Sequence, residues 1–176
     1  SYWEAAIEEE KEGMKVNKAM REVSRGLMRE MGRKAIRSKY VFDIKLRSPT
    51  CEKEGPAYRT LPDGRKVRYK CRWVAKGFSQ REGVDFHETY APTPQIDSVR
   101  LILPYAFSKG WGIRQMDVHQ AFLVPELPED ERMFMEPPPG DPIGGDKIYQ
   151  LLRTLYGLRQ SAHAWNKDMD GTLQRY

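Results

Sequence analysis

Apolar positions in the first part of the chain recur with a helical period. They lie at intervals of three and four residues, with lysine and arginine between them: Val16, Met20, Val23, Leu27 and Met31. This spacing places them on one face of an amphipathic helix, so helix is predicted across residues 2–31. A break is expected near Gly13, because glycine inside a helix costs about 1 kcal/mol relative to alanine. Residues 1–38 are interpreted as a helical lead-in to a main domain, residues 39–176.

Strand periodicity follows. Residues 40–47 alternate apolar and polar side chains, and so do residues 66–76, where apolar side chains lie at odd positions and basic ones at most even positions. Alternation with period two is typical of a strand with two different faces. Residues 48–60 contain two prolines and a glycine and are interpreted as an irregular loop. Residues 61–65, Leu-Pro-Asp-Gly-Arg, carry the residues of a β-turn. A hairpin with one strongly basic face is therefore predicted, as a separate lobe.

The middle of the chain combines a helix with a strand that ends in a carboxylate. Residues 97–107 have an apolar helical face, although Pro104 inside it favours a kink. Residues 111–117 alternate and are predicted to form a strand that ends at Asp117 and pairs antiparallel with residues 133–136. Asp117 then has two interpretations. It caps a turn, as aspartate commonly does, or it is a functional carboxylate held at the end of a rigid strand.

Charge and composition narrow the function classes. The net charge is +5 and the pI about 9.2, and residues 65–81 contain seven basic side chains and no acidic one, so polyanions are plausible partners. The two cysteines are too far apart for a zinc motif or a disulfide framework, which favours a reducing compartment. No apolar run reaches the length of a membrane span, so no membrane role is predicted. Because the first residue is serine, the chain is interpreted as a fragment of a longer polyprotein.

Four sequence segments in order change this picture. They are YKCRWVAKGFSQREGVDFHETYAP, QMDVHQAFL, MFMEPPPG and LLRTLYGLRQSAHAW. Together they resemble the reverse transcriptases of copia-type LTR retrotransposons, over roughly residues 40–165, with a weaker similarity in WEAAIEEE near the start. The resemblance implies an α+β fold, with the fingers and the front half of the palm of a polymerase built from an antiparallel sheet with packed helices. It implies RNA-directed DNA polymerase activity by two-metal nucleotidyl transfer.

The same resemblance implies roles for individual residues. Asp117 corresponds to the first metal-binding and catalytic aspartate, and the main-chain carbonyl of Val118 would supply a further ligand to Mg²⁺, of which the complete family enzyme uses two ions. Arg72 corresponds to an arginine that contacts the triphosphate, with Lys70 as a second candidate. The guanidinium fork of arginine suits phosphate oxygens. Phe122 corresponds to the aromatic residue beneath the sugar that excludes a 2′-hydroxyl; core packing is the alternative.

Further residues are assigned more broadly. Gly157 would let the backbone approach the nucleotide closely, and Lys66, Arg68 and Lys76 would bind an RNA or DNA template-primer. A solvated surface is the alternative for the whole basic face of residues 66–76. The chain departs from the family at Pro104, at 123–125, where an Asn-Gly turn is expected, and at 161–163.

The family's second group of carboxylates, in a Tyr-x-Asp-Asp motif, does not occur in the sequence. The chain is therefore interpreted as C-terminally truncated and inactive alone. The alternatives are a catalytically inactive nucleic-acid-binding remnant of a decayed element, and a host protein that uses the basic hairpin for interactions. Expected partners are template-primer, deoxynucleoside triphosphates and the integrase and RNase H parts of a Pol polyprotein. The expected location is a cytoplasmic virus-like particle or the nucleus.

Overall fold

The computed structural model describes residues 1–47 and 54–175, and in this part of the chain the strands form two sheets. The helices are α1 (Tyr2–Val16), α2 (Arg25–Glu30), α3 (Ile96–Ser108) and α4 (Ser161–Leu173). The strands are β1 (Met20–Ser24), β2 (Ala35–Ile36), β3 (Ser38–Arg47), β4 (Tyr58–Thr60), β5 (Lys66–Ala75), β6 (Phe134–Met135) and β7 (Lys147–Leu151). The fold is therefore mixed α+β, as the sequence predicted.

The first sheet has the strand order β1-β7-β6-β2. All neighbours in it are antiparallel except β2 and β6, which run parallel. The helix predicted across residues 2–31 is correct for α1 and wrong for Met20–Ser24, which pair with β7 from Met20 opposite Leu151 to Ser24 opposite Lys147. Pairing with a buried strand outweighs a weak helical preference in so short a segment.

The second sheet, in the order β3-β5-β4, contains the basic strand. The predicted pairing of the two strands is confirmed: β3 and β5 pair antiparallel along ten residues each, from Ser38 opposite Ala75 to Arg47 opposite Lys66. The predicted turn is also present, since the Gly64 N–H donates to the Leu61 carbonyl and Gly64 has φ +81. This turn leads from β4, however, so residues 58–60 are strand rather than loop. The rest of that predicted loop, residues 48–53, lies outside the described residues.

The strand predicted to end at Asp117 does not form. Residues 111–118 have no assigned secondary structure, and the predicted pairing of this segment with residues 133–136 is wrong. The reason is geometric: β6 already pairs with β7 along one edge and with β2 along the other. A strand has two hydrogen-bonding edges, so none is left for the Asp117 segment.

One buried cluster joins the two sheets. It contains Leu151 and Met135 from the first sheet, Trp73 and Ala75 from β5, and Met14 from α1. The inner end of the basic strand is thereby fixed against the first sheet. Helix α1 packs along β5 above this cluster, with the Tyr2 ring stacked on Tyr69 at 5.0 Å.

Helix α3 forms where the sequence predicts it but packs differently. Its predicted apolar face is largely open to solvent: Val99 is 38% exposed, Ile102 62% and Leu103 44%, whereas Ala106 is buried. The predicted end of the helix is confirmed at Lys109, followed by Gly110 at φ +68. No helix in residues 1–47 and 54–175 is long and apolar enough to cross a membrane.

Candidate functional site

A cavity of about 280 Å³ lies where α1, β5 and residues 117–122 meet. Six of the residues selected from the sequence line it: Arg68, Lys70, Arg72, Asp117, Val118 and Phe122. These positions are up to 54 residues apart in the sequence, and the fold brings them to one opening. A larger cavity, of about 890 Å³ beside α4, is lined by none of them.

The β5 wall of the cavity is basic. Lys70 is half-buried, and its pKa is lowered mainly by burial and then by the nearby charges of Arg72, Arg68 and Lys45. Burial disfavours the charged ammonium, and each neighbouring cation disfavours another positive charge, so both effects lower the pKa of Lys70. Such a concentration of positive potential in a concave site is suited to an anion with several charges.

Aromatic rings form the neighbouring wall. The Phe122 ring meets the Tyr156 ring edge-on, with centroids 5.5 Å apart and planes at 71°. The guanidinium of Arg72 lies over the Tyr156 ring, 6.0 Å from its centre. Tyr156 therefore touches both the aromatic and the basic candidate, although the sequence reasoning did not select it as a site residue.

Asp117 and Val118 lie on the open side of the cavity. Both are exposed. After them the chain turns sharply at Gln120, which has φ +54, and then forms a short 3₁₀ turn in which the Leu123 N–H donates to the Gln120 carbonyl at 2.7 Å. This turn directs Phe122 inward, and the Phe122 carbonyl accepts a hydrogen bond from the Thr154 hydroxyl.

Helix α1 supplies an acidic wall that the sequence reasoning did not assign to the site. The carboxylate of Glu10 accepts a hydrogen bond from the Trp73 N–H at 3.0 Å, and Glu9 forms an ion pair with Arg68. Glu10 is buried, and burial is the main reason its pKa is raised; the hydrogen bond, Lys70 and Arg72 oppose that shift. The available signal was a stripe at intervals of four, Ala6, Glu10 and Met14, whose members are all buried.

Three predicted residues lie outside this cavity. Lys66 lies at the far end of β5, within 3.3 Å of the Glu54 carboxylate. Lys76 and Gly157 line a separate opening of about 330 Å³ together with Arg37. The backbone of Gly157 approaches another part of the protein closely: a Cβ on Gly157, which has φ +90, would lie 2.2 Å from the Ala75 carbonyl oxygen. An approach of Gly157 to the nucleotide stays a prediction.

The oxygen ligands that the described residues offer at this cavity do not complete a magnesium site. Magnesium requires near-octahedral oxygen coordination, with carboxylates converging on the ion. Among the described residues that line the cavity, Asp117 is the one carboxylate with no ion pair or main-chain donor to another described residue, since Glu9 and Glu10 are held by Arg68 and Trp73. No group of three or more His, Cys, Asp or Glu in the described residues could hold a metal ion.

Comparison with known proteins identifies the family. Residues 56–176 match the family described as "Reverse transcriptase (RNA-dependent DNA polymerase)". The retrovirus-related Pol polyprotein from transposon RE1 of Arabidopsis thaliana is 43% identical over 63% of this chain and 8% of its own length. That from transposon TNT 1-94 of Nicotiana tabacum is 35% identical over 81% of this chain and 10% of its own length.

A more distant relative is the Gag-Pol polyprotein of transposon Ty1-H from Saccharomyces cerevisiae, 31% identical over 60% of this chain and 6% of its own length. The chain thus spans about a tenth or less of the relatives it matches. No solved structure gives a significant match. The chain belongs to the reverse transcriptase (RNA-dependent DNA polymerase) family, and its relatives are the Pol polyproteins of copia-type retrotransposons.

Proposed function

We propose that this chain contributes the fingers and the front of the palm to the RNA-directed DNA polymerase of a copia-type Pol polyprotein, and that the cavity between α1 and β5 receives the incoming deoxynucleoside triphosphate. The observation that carries the proposal is the convergence of Arg72, Phe122 and Asp117 on one opening. Template-primer and the remaining parts of the polyprotein are the proposed partners.

Each side chain has a distinct task in this proposal. Arg72 and Lys70 bind phosphate oxygens, and the basic wall compensates the negative charge of the triphosphate. Phe122 lies beneath the sugar, where its ring fills the volume that a 2′-hydroxyl needs. Asp117 and the Val118 carbonyl offer oxygen atoms on the open side, as part of a ligand set for magnesium. The described residues do not complete that set, so the chemical step itself is outside this proposal.

Sugar discrimination tests the assignment of the cavity. dCTP and CTP differ only in the 2′-hydroxyl, and the 176-residue chain is expected to bind dCTP more tightly. Phe122→Ala should remove that preference by improving CTP binding, because the ring that excludes the hydroxyl is gone. Equilibrium titration with both nucleotides, followed by fluorescence or calorimetry, measures the ratio of the two affinities.

Phe78→Ala is the matched control, since Phe78 is 72% exposed and does not line the cavity. This variant should keep the parent's ratio of dCTP to CTP affinity. An unchanged ratio in Phe122→Ala, or equal binding of the two nucleotides by the parent, would show that Phe122 does not lie beneath the sugar.

A further inference from the structure

Helix α1 is hydrogen-bonded to the basic wall of the cavity. In the described residues, strand β4 pairs with Lys66–Arg68 of β5, and two N–H groups further along that edge of β5 donate to groups outside the sheet. The Ala75 N–H donates to the Tyr156 carbonyl at 2.8 Å, and the Trp73 N–H donates to the carboxylate of Glu10 at 3.0 Å. Glu10 thus takes the place of a strand partner at the residue that follows Arg72.

The same helix holds the opposite wall. The Asn17 side-chain amide donates to the Gln120 side-chain carbonyl at 3.0 Å and to the Gly13 main-chain carbonyl at 2.8 Å. Gly13 lies so close that a Cβ on it would be 2.1 Å from the Gln120 side-chain nitrogen. Gln120 needs such support, because a left-handed conformation is strained in any residue other than glycine.

Within residues 117–122, Phe122 is also held by the Thr154 hydroxyl and the Tyr156 ring, whereas Asp117 and Val118 have no such contact among the described residues. Asp117 and Val118 belong to no strand, so regular main-chain pairing with β5 does not fix their distance from Arg72. Helix α1 contacts both sides, through Glu10 in its middle and through Gly13 and the C-cap residue Asn17 one to two turns further on. Helix α1 therefore bridges the two walls, as the Tyr156 ring also does between Arg72 and Phe122.

We propose that α1 is the strut that sets the width of the cavity, with Glu10 as the positioning residue for Arg72 and the Gly13–Asn17 turn as the positioning element for the Asp117–Phe122 segment. This inference rests on the proposed function for the identity of the ligand, a deoxynucleoside triphosphate. Its structural part concerns the protein alone. Because phosphate and sugar contacts act together, a shift of either wall weakens binding of the whole nucleotide.

The contact between α1 and β5 is tested by two substitutions of Glu10, both of which remove its charge. Glu10→Gln keeps a carbonyl oxygen that can accept from the Trp73 N–H, whereas Glu10→Ala leaves this buried donor without its partner. Glu10→Ala should therefore bind dCTP about tenfold more weakly than Glu10→Gln, and the Trp73 amide should exchange its hydrogen faster in Glu10→Ala alone. Equal affinity and equal exchange in the two variants would show that Glu10 acts only through its charge.

The contact between α1 and Gln120 is tested by an alanine substitution at each of two helical glycines. Gly13→Ala places a methyl group against the Gln120 amide and displaces it from Asn17. Gly171→Ala in α4 is the matched control, because nothing lies within 4 Å of the added Cβ and both changes favour helix. Gly13→Ala should weaken dCTP binding several-fold and speed exchange of the Leu123 amide, which donates to the Gln120 carbonyl. Gly171→Ala should do neither.

Hydrogen exchange separates the strut from the nucleotide. If the parent binds no dCTP while the Trp73 and Leu123 amides respond as expected, the proposed function fails and the strut stands. If the parent binds dCTP and Gly13→Ala behaves like Gly171→Ala in both measurements, the strut is overturned and the proposed function stands. A thermal unfolding transition in each variant, recorded by circular dichroism, establishes that the comparison is made between folded proteins.

Discussion

A buried glutamate beside two cations is the most informative single residue of the site. Glu10 is 7% exposed, and its carboxylate accepts from the Trp73 N–H. A buried charge is tolerated when it is hydrogen-bonded and compensated, and here Lys70 and Arg72 supply part of the compensation. Burial remains the largest effect on its pKa, so the ionised form of Glu10 costs the folded state stability.

This balance predicts how stability depends on pH. The pKa of Glu10 is raised above its ordinary value of 4.5 in the folded protein. Its contribution to stability is therefore fully present below pH 4.5 and is lost as the pH rises through the folded-state pKa. Glu10→Gln cannot ionise, so its free energy of unfolding should increase relative to the parent as the pH rises from 4 to 8. Chemical denaturation at several pH values measures this difference.

Other ionisable groups also face Glu10. They are Lys70, Arg72, Glu9, Cys71 and Tyr156. Burial raises the pKa of Cys71 to about 12 and also raises that of Tyr156, so neither titrates between pH 4 and 8. Glu8→Gln, at an exposed position on the same helix, is the control for the adjacent acidic residues. A difference between parent and Glu10→Gln that does not change with pH would contradict the account.

At the scale of the elements, the sequence predicted correctly those in which one face lies in the same environment along the whole element. The alternation in residues 66–76 predicted β5 because one face packs inward along its whole length, with Val67, Cys71 and Trp73 buried. Met20–Ser24 has no such signal, since its two faces differ little in burial. Its strand conformation comes from pairing with β7, a partner more than 120 residues away, and local pattern carries no information about such a partner.

The end of β5 packs closely against a glycine. Gly157 has φ +90 and lies against the Ala75 carbonyl, whereas Gly145 has φ +66 with nothing within 4 Å. Gly145→Ala should cost only the strain of a left-handed residue, about 1–2 kcal/mol. Gly157→Ala should cost about 1–3 kcal/mol more, because the added methyl group collides with the backbone. Urea unfolding of both variants measures the difference, and equal losses would show that the close approach is not needed.

At the scale of the whole molecule, the two sheets meet in one buried cluster while α3 and the segment after it remain open to solvent. Leu101 is 74% exposed, Phe107 83% and Met116 86%. The sequence predicted the apolar face of α3 correctly and could not predict that it stays uncovered, because a helical pattern shows which side chains share a face and not what packs on them.

The candidate site, too, could be predicted from the sequence only in part. Family motifs selected Arg72, Asp117 and Phe122 from the sequence, and the fold places all three at one cavity. The family motifs do not predict the contacts of α1. The hydrogen bond between Glu10 and Trp73 joins residues 63 positions apart, and that between Asn17 and Gln120 joins residues 103 positions apart. Long-range contacts between short polar groups leave no periodic pattern, so they become visible only in the folded chain.

The measurement that tests the account most directly is equilibrium binding of dCTP to the 176-residue chain and to Arg72→Ala. Arg72 lines the cavity, and its guanidinium is assigned to the triphosphate, so its removal should weaken binding about tenfold or more, as expected for a charge-assisted phosphate contact. Arg100→Ala, on the exposed surface of α3, should bind as the parent does. Saturable binding that is weakened about tenfold or more in Arg72→Ala and unchanged in Arg100→Ala is the predicted result; no saturable binding by the parent, or equal affinity in both variants, would contradict it.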